Sequence, residues 1–472
     1  MIAAPVLEAP VAPSKLSPKG WMSFRLIPPV ETYPAVVRFA QTTAGKLFLL
    51  AFFGMVFTNY GHSTSWLSTG ALAVITFLPQ HRRSLVAFFT IAIPIYESQG
   101  LRSLAWILAC LAVGTLLFYA ARKWPKSAFG RRPILFLLTG FASFIVIACL
   151  VPKSYGINLE LWTGVGLFSS YVWFIGYALL DRSADFGRDL KLEVGTFRPF
   201  WGSTNTPFPK GAAYLRRIEA HNSEELAITQ LKGVKLLVWA MLISLFSHYW
   251  YRLWHGYAHI PTLAEAIGRS AAHSPAPIGI CWVSLLLAFF ESIFWVCILG
   301  HPIIACCRMA GFRALRNTYR PLSSVTLWEY FNRFYLYFKE LLVDFFFYPT
   351  FLRYFKRYRR LRMVAATFAA AAFGNAFYHF TRDWQIVQEV GLRKALVNFQ
   401  VYIFYCVALG TALSVSQLRR RRHRSGFVRG RLIPLSCVIL FYSLLDIFGS
   451  TQRNYPLVEH LRFLGYLFHI SF

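Results

Sequence analysis

Apolar residues run along this chain in long blocks, without the period-two alternation of strands or the single stripe of a surface helix. A helix needs about 20 apolar residues to cross hydrocarbon, with about 17 to 25 the usual range. Spanning helices are predicted near 47–60, 67–80, 85–97, 101–121, 133–152, 159–180, 233–254, 278–306, 363–381, 396–418 and 432–449, the first three being short; a further apolar run covers 460–472. No repeat of fixed period is visible, which argues against repeat-built transporter folds. The expected fold is all-α, a polytopic transmembrane bundle of about eleven or twelve spans.

Charge fixes the expected topology, because Lys and Arg collect in short cytoplasmic loops. With the N-terminal tail inside, alternation puts Arg82-Arg83, Arg122 to Arg132 and the segment 181–232 inside as well, all basic or dense in charge. The intervening loops near 61–66, 98–100 and 153–158 are almost free of positive charge, and 255–277 has only Arg269. The basic stretches Arg308 to Arg320 and Arg353 to Arg362 must then lie on the same side, although the apolar run 325–350 separates them. That run must enter and return, or lie buried as a broken helix covered by protein or a water-filled cavity. Two further spans bring the run RRRRHRSGFVRGR at 419–431 back inside.

The non-spanning stretch is also the most polar of the apolar blocks: WEYFNRFYLYFKELLVDFFFYP carries Glu329, Asn332, Arg333, Lys339, Glu340 and Asp344. Ionisable groups at membrane depth are expensive and pair with one another or face a functional cavity. On a continuous helix Glu329, Arg333, Glu340 and Asp344 share one face. Either they staple helices together or they line a reaction chamber.

Composition excludes a soluble enzyme. Of 472 residues 56% are hydrophobic, 18% aromatic and 15% charged, against about 45–50% apolar and about 25% charged in soluble domains. The 49 Lys plus Arg exceed the 20 Asp plus Glu to give +29; their place between apolar runs points to membrane orientation and anionic lipid rather than to nucleic acid. The eight cysteines form no CxxC pair, so neither disulfides nor a metal site is expected. Cys306 and Cys307, beside Arg308, are either small buried hydrophobes or a site of S-acylation. The first 45 residues are Pro-rich and interrupted by Lys15, Lys19, Arg25 and Arg38, and no removable signal peptide is predicted. In HYWYRLWHGYAH, His248, His255 and His259 fall on one helical face; with no carboxylate completing a metal set nearby, an interfacial aromatic and histidine belt is expected.

The order of a basic loop, a polar non-spanning segment, a second basic loop and a small-residue helix with one histidine resembles the membrane-bound O-acyltransferases (MBOATs), as a divergent bacterial-type member. Prokaryotic members carry Glu-Phe-Trp-Arg-Arg-Trp-His and then, after a short gap, Arg-Asp, aromatics and Pro. Glu329 to Tyr335 occupy the first positions and Asp344 to Pro349 keep the later spacing. The helix ATFAAAAFGNAFYHF matches the block holding the family's essential histidine, which makes His379 its counterpart. FRPFWGSTNTPFPKGAAYLRRI with SEELAITQLKGVKLLVWA is loosely similar to the family's charged inner segment. The resemblance is specific from about 195 to 385 and architectural elsewhere. One position departs from the pattern: Tyr335 stands where members place a second polar residue, His or Asn, and Asn332 lies about one turn earlier.

The resemblance implies an integral multi-pass acyltransferase, in a bacterial cytoplasmic membrane with its N-terminus cytoplasmic, that moves an acyl group from acyl-CoA or acyl carrier protein to a hydroxyl of a lipid, glycan or other acceptor. These donors act as co-substrates; no bound cofactor and no nucleic acid is implied. Such transfer needs a base for the hydroxyl proton and donors for the developing oxyanion, and an imidazole is suited to the first near neutral pH. His379 is the expected base. Asn332, Tyr335 and Asn375 are orienting candidates, Asn375 standing one turn before His379 on the same face. The alanines 369–372 with Gly374 either pack closely against another helix or leave room for an acyl chain. The organisation expected is an N-terminal tail (1–46), N-terminal spans (47–180), a cytoplasmic charged segment (181–232), an MBOAT-like core (233–385) and C-terminal spans (386–472). The competing classes are a transporter or flippase gated by the ion network, and a non-catalytic scaffold of the same fold.

Overall fold

A segment in hydrocarbon must satisfy its backbone groups within itself, which leaves the helix as the form available to each apolar block. The computed structural model describes residues 26–58, 65–98, 100–181, 190–202, 206, 208–418, 426–449 and 454–470. Helices occupy all the predicted spans, and among the described residues the β content is one isolated bridge between Glu219 and Phe312. The fold is an all-α polytopic bundle. The tail before residue 26 and the basic residues 419–425 lie outside the described residues.

Among the described residues seven helices are long and apolar enough to cross a membrane: Leu101–Lys123, Pro133–Leu150, Gly156–Asp181, Ser223–Tyr257, Ile278–Met309, Leu392–Leu418 and Val428–Asp446. An eighth is reached if Pro34–Gln41 and Thr43–Thr58, bent by 91°, count as one span. The bend falls where Thr42 leaves helical geometry and its hydroxyl accepts from Gly45 N at 3.0 Å. A side chain at Gly45 would meet Phe39 O at 2.0 Å, so the corner requires glycine. The count falls below eleven because Ser65–Phe77 has 13 residues and Arg82–Glu97 has 16, about 20–24 Å of helix against about 30 Å of hydrocarbon. The helix at the span expected over 363–381 runs unbroken from Arg359 to Arg382 through a π-helical turn at Ala369–Gly374, and is not among the seven.

Loops expected on one side of the bilayer touch one another. Glu219, just before the Ser223–Tyr251 helix, pairs with Arg83 at 2.8 Å and Arg82 at 3.4 Å. Glu225 pairs with Arg313 at 3.4 Å, and Arg353 donates to Arg131 O at 2.8 Å. Lys153 reaches Glu389 O, joining two other loops.

The segment between the Gly156–Asp181 and Ser223–Tyr251 helices is more than a charged loop. Leu190–Gly195 forms a helix against Arg82–Glu97, and Thr90 donates to Gly195 O at 3.0 Å. Leu192, Phe197, Trp201, Phe208 and Leu215 are buried in the protein core. The stretch 325–350 is a broken helix, as expected, and it joins the two largest core clusters: Phe338, Leu341 and Phe345 enter one, beside Trp173 and Phe141, and Tyr337 enters the other, beside Phe208 and Phe312.

Candidate functional site

The polar segment starts as a well-capped helix, Leu327–Phe334. Thr326 Oγ1 accepts from Glu329 N at 3.1 Å, while the Glu329 carboxylate accepts from Val325 N at 3.0 Å and pairs with Arg333 at 2.7 Å. Arg333 also bonds the Ser323 hydroxyl. The helix stops at Tyr335, whose backbone is extended (φ −141°, ψ 77°), and resumes as Leu336–Leu342, a π turn at Val343–Phe347 and a short helix at Tyr348–Arg353.

A break at membrane depth needs partners for the backbone groups it releases. Asn317 and Thr318 supply them: Thr318 Oγ1 donates to Phe334 O at 2.9 Å, Leu336 N donates to Asn317 O at 2.8 Å, and Tyr337 N donates to Asn317 Oδ1 at 3.3 Å. Sequence reasoning missed both residues. Their only signal is two polar residues inside an otherwise basic loop.

The break separates the four residues expected on one face. Glu329 and Arg333 remain a pair before it. Glu340 and Asp344, after it, turn to a lysine from another segment: Lys210 Nζ lies 2.8 Å from Glu340 Oε2 and 2.7 Å from Asp344 Oδ2. Lys339 also pairs with Glu340, and the Tyr177 hydroxyl donates to Asp344 Oδ2 at 3.1 Å. Burial pulls the Lys210 ammonium toward the neutral form, but Asp344 and Glu340 outweigh it and hold its pKa above the ordinary value. Asp181 steadies the same strand of chain by accepting from Ala213 N at 2.9 Å.

Past Tyr335, Phe338 brings the broken segment to the histidine helix. The His379 ring stands edge-on to Phe338 at 5.6 Å, at 5.3 Å from Tyr378 and at 4.5 Å from Tyr402, and the residue is half-buried. The Tyr402 hydroxyl donates to Asn375 Oδ1 at 3.0 Å, so Asn375 and His379 meet the same tyrosine from successive turns. Tyr335 packs on Phe338 at 5.4 Å and on Phe208 at 6.1 Å. Its hydroxyl is 3.4 Å from Thr206 Oγ1, which is 2.6 Å from the Tyr378 hydroxyl. Tyr335, Thr206 and Tyr378 thus form a chain of hydroxyls, whose last ring lies 5.3 Å from that of His379. Asn332 faces elsewhere, its amide donating to Trp328 O of its own helix at 2.9 Å. Thr206 and Tyr402 were not legible in the sequence, because each comes from a distant segment.

No protein-family model and no curated protein matches this chain.

The small-residue surface before His379 serves packing. A side chain at Gly374 would meet the Phe346 ring at 2.5 Å, and the Ala372 methyl lies 3.0 Å from where a side chain would begin at Gly410. Phe346 and Gly374 join the two π turns, and such turns recur at functional sites. A cavity of about 440 Å³, lined by Trp106, Phe141, Phe144 and other apolar residues, includes none of the site residues.

Two other features resolve. Cys306 and Cys307 are fully buried, which agrees with the reading as small buried hydrophobes and not with S-acylation. His255, 6% exposed in its side chain, has Nε2 2.9 Å from Glu291 Oε1 and Nδ1 2.6 Å from Ile260 O. The carboxylate absent from the local sequence therefore comes from the neighbouring Ile278–Met309 helix, and among the described residues no group of three His, Cys, Asp or Glu could hold a metal.

Proposed function

We propose that this chain is a membrane-embedded O-acyltransferase of the MBOAT type, taking an acyl group from acyl-CoA or acyl carrier protein to a hydroxyl of a lipid, glycan or other acceptor, with its N-terminus in the cytoplasm of a bacterial-type membrane. The observation that carries the reading is the convergence of His379 with the helix break at Tyr335, through Phe338 and the hydroxyl chain Tyr335–Thr206–Tyr378. In the reaction, the His379 imidazole takes the proton of the acceptor hydroxyl as its oxygen attacks the thioester carbonyl. The oxyanion that forms is met by hydroxyl donors, for which Tyr335 and Tyr378 are the candidates, and each such donor removed costs about 10²–10³ in rate. Collapse expels the thiolate, which recovers the proton from the imidazolium. Asn375 acts through Tyr402 to fix the plane of the imidazole.

Purified protein with labelled acyl-CoA and a lipid or glycan extract tests this. His379→Ala should abolish transfer while the variant still elutes as folded protein, and undiminished labelling would remove the mechanism. A second reading, a transporter, is favoured by the buried Lys210–Glu340–Asp344 network. Substrate flux across proteoliposomes without acylation would select it.

A further inference from the structure

The loops at 122–132 and 352–362 belong to different helix pairs, yet Arg353 donates from its guanidinium to Arg131 O at 2.8 Å and joins them into one surface. Arg122, Lys123, Lys126, Arg131 and Arg132 are exposed on the first. On the second, LRYFKRYRR (352–360) is exposed at every position and adds five more cations. Neither loop brings a counter-charge, since the stretches 101–157 and 345–382 contain no Asp or Glu. Among the described residues, none of these ten cations has a carboxylate partner.

The cations alternate with exposed rings. Trp124 is 54% exposed, Tyr354 53%, Phe355 47% and Tyr358 67%. Lys123 lies over the Trp124 ring at 5.4 Å. Two candidate spans, Leu101–Lys123 and Pro133–Leu150, end at the first loop, which places the surface at a membrane boundary. A soluble anion or an acidic protein would answer the charge and leave the rings wet. The boundary between head groups and acyl chains accepts both, as aromatic belts and juxtamembrane basic clusters do.

We propose that this surface binds anionic phospholipid head groups of the adjoining leaflet. The binding is independent of any catalytic reading. It also bears on the site, because the second loop connects the end of the broken segment at Arg353 to the start of the histidine helix at Arg359. Head groups bridging the two loops would hold that connection against the first helix pair.

The full chain in nanodiscs of phosphatidylcholine doped with phosphatidylglycerol provides the test, read as lipid retained per protein after detergent exchange at low and high salt. Phosphatidylglycerol should be enriched over its bulk fraction, with the enrichment lost at high salt. Arg357→Gln/Arg360→Gln should weaken it on the order of 30-fold, from about 1 kcal/mol for each cation, while Arg357→Lys/Arg360→Lys retains it. Retention of the two lipids in bulk proportion would overturn the proposal, as would a double Gln variant that holds phosphatidylglycerol like the parent. Coenzyme A binding in phosphatidylcholine alone that the Gln pair abolishes, with lipid retention unmoved, would assign the surface to a soluble donor and equally overturn it.

Discussion

Lys210→Met removes one ammonium from a cluster holding two carboxylates, and the cost follows from the geometry. Lys210 Nζ is 2.8 Å from Glu340 and 2.7 Å from Asp344, with the side chains 17%, 28% and 18% exposed. Breaking a fully buried pair costs about 3–5 kcal/mol, because the remaining charge is left without compensation. Partial exposure screens some of this and Lys339 still faces Glu340, so about 2–4 kcal/mol is expected. Methionine keeps much of the lysine stem, so the loss reports charge more than packing. The assay is thermal unfolding in detergent followed with a thiol-reactive fluorophore, since Cys110, Cys297, Cys306, Cys307 and Cys406 are buried and become reactive only on unfolding. Lys210→Met should unfold at a clearly lower temperature. The double variant Lys210→Met/Asp344→Asn should recover most of the loss, since Glu340 keeps Lys339 and no charge is then stranded. An unchanged unfolding temperature for the single variant, or a double variant less stable than the single, would refute the claim that charge compensation fixes the broken segment.

Gly374→Ala should destabilise by about 1–3 kcal/mol through overpacking, outweighing the helix-propensity gain of about 1 kcal/mol, because the new methyl meets the Phe346 ring at 2.5 Å; an unfolding temperature at or above the parent's would show that the π turns are not in firm contact. At Glu31, outside the spans, burial raises the carboxyl pKa, but Lys235 at 2.5 Å from both oxygens outweighs that and holds it below the ordinary value. A depressed carboxyl contributes stability above its unfolded value, roughly 4.3, that disappears as pH falls through the folded one. Between about pH 5 and pH 3 the parent should therefore lose more stability than Glu31→Gln, and parallel pH curves would contradict the pairing.

Helix positions were legible because the bilayer removes the alternatives: apolar blocks of sufficient length must become helices, and positive charge marks the loops between them. The same reasoning placed the broken element at 325–350, since a spanning helix there would have put Arg308 to Arg320 and Arg353 to Arg362 on opposite sides. His379 and Tyr335 were singled out by the family resemblance of their local sequence. What local pattern could not supply was the set of partners. Thr206, Lys210, Asn317 and Tyr402 come from segments far apart in the chain, and only packing brings them to the break and the imidazole.

The chain by itself therefore determined an all-α membrane bundle and the broken apolar stretch at 325–350, because burial in hydrocarbon is a property each segment carries alone. Tertiary structure decided where that stretch breaks, which lysine meets Glu340 and Asp344, and which rings surround His379. Those outcomes depend on backbone groups and charges that must be satisfied by whatever neighbour the packing provides.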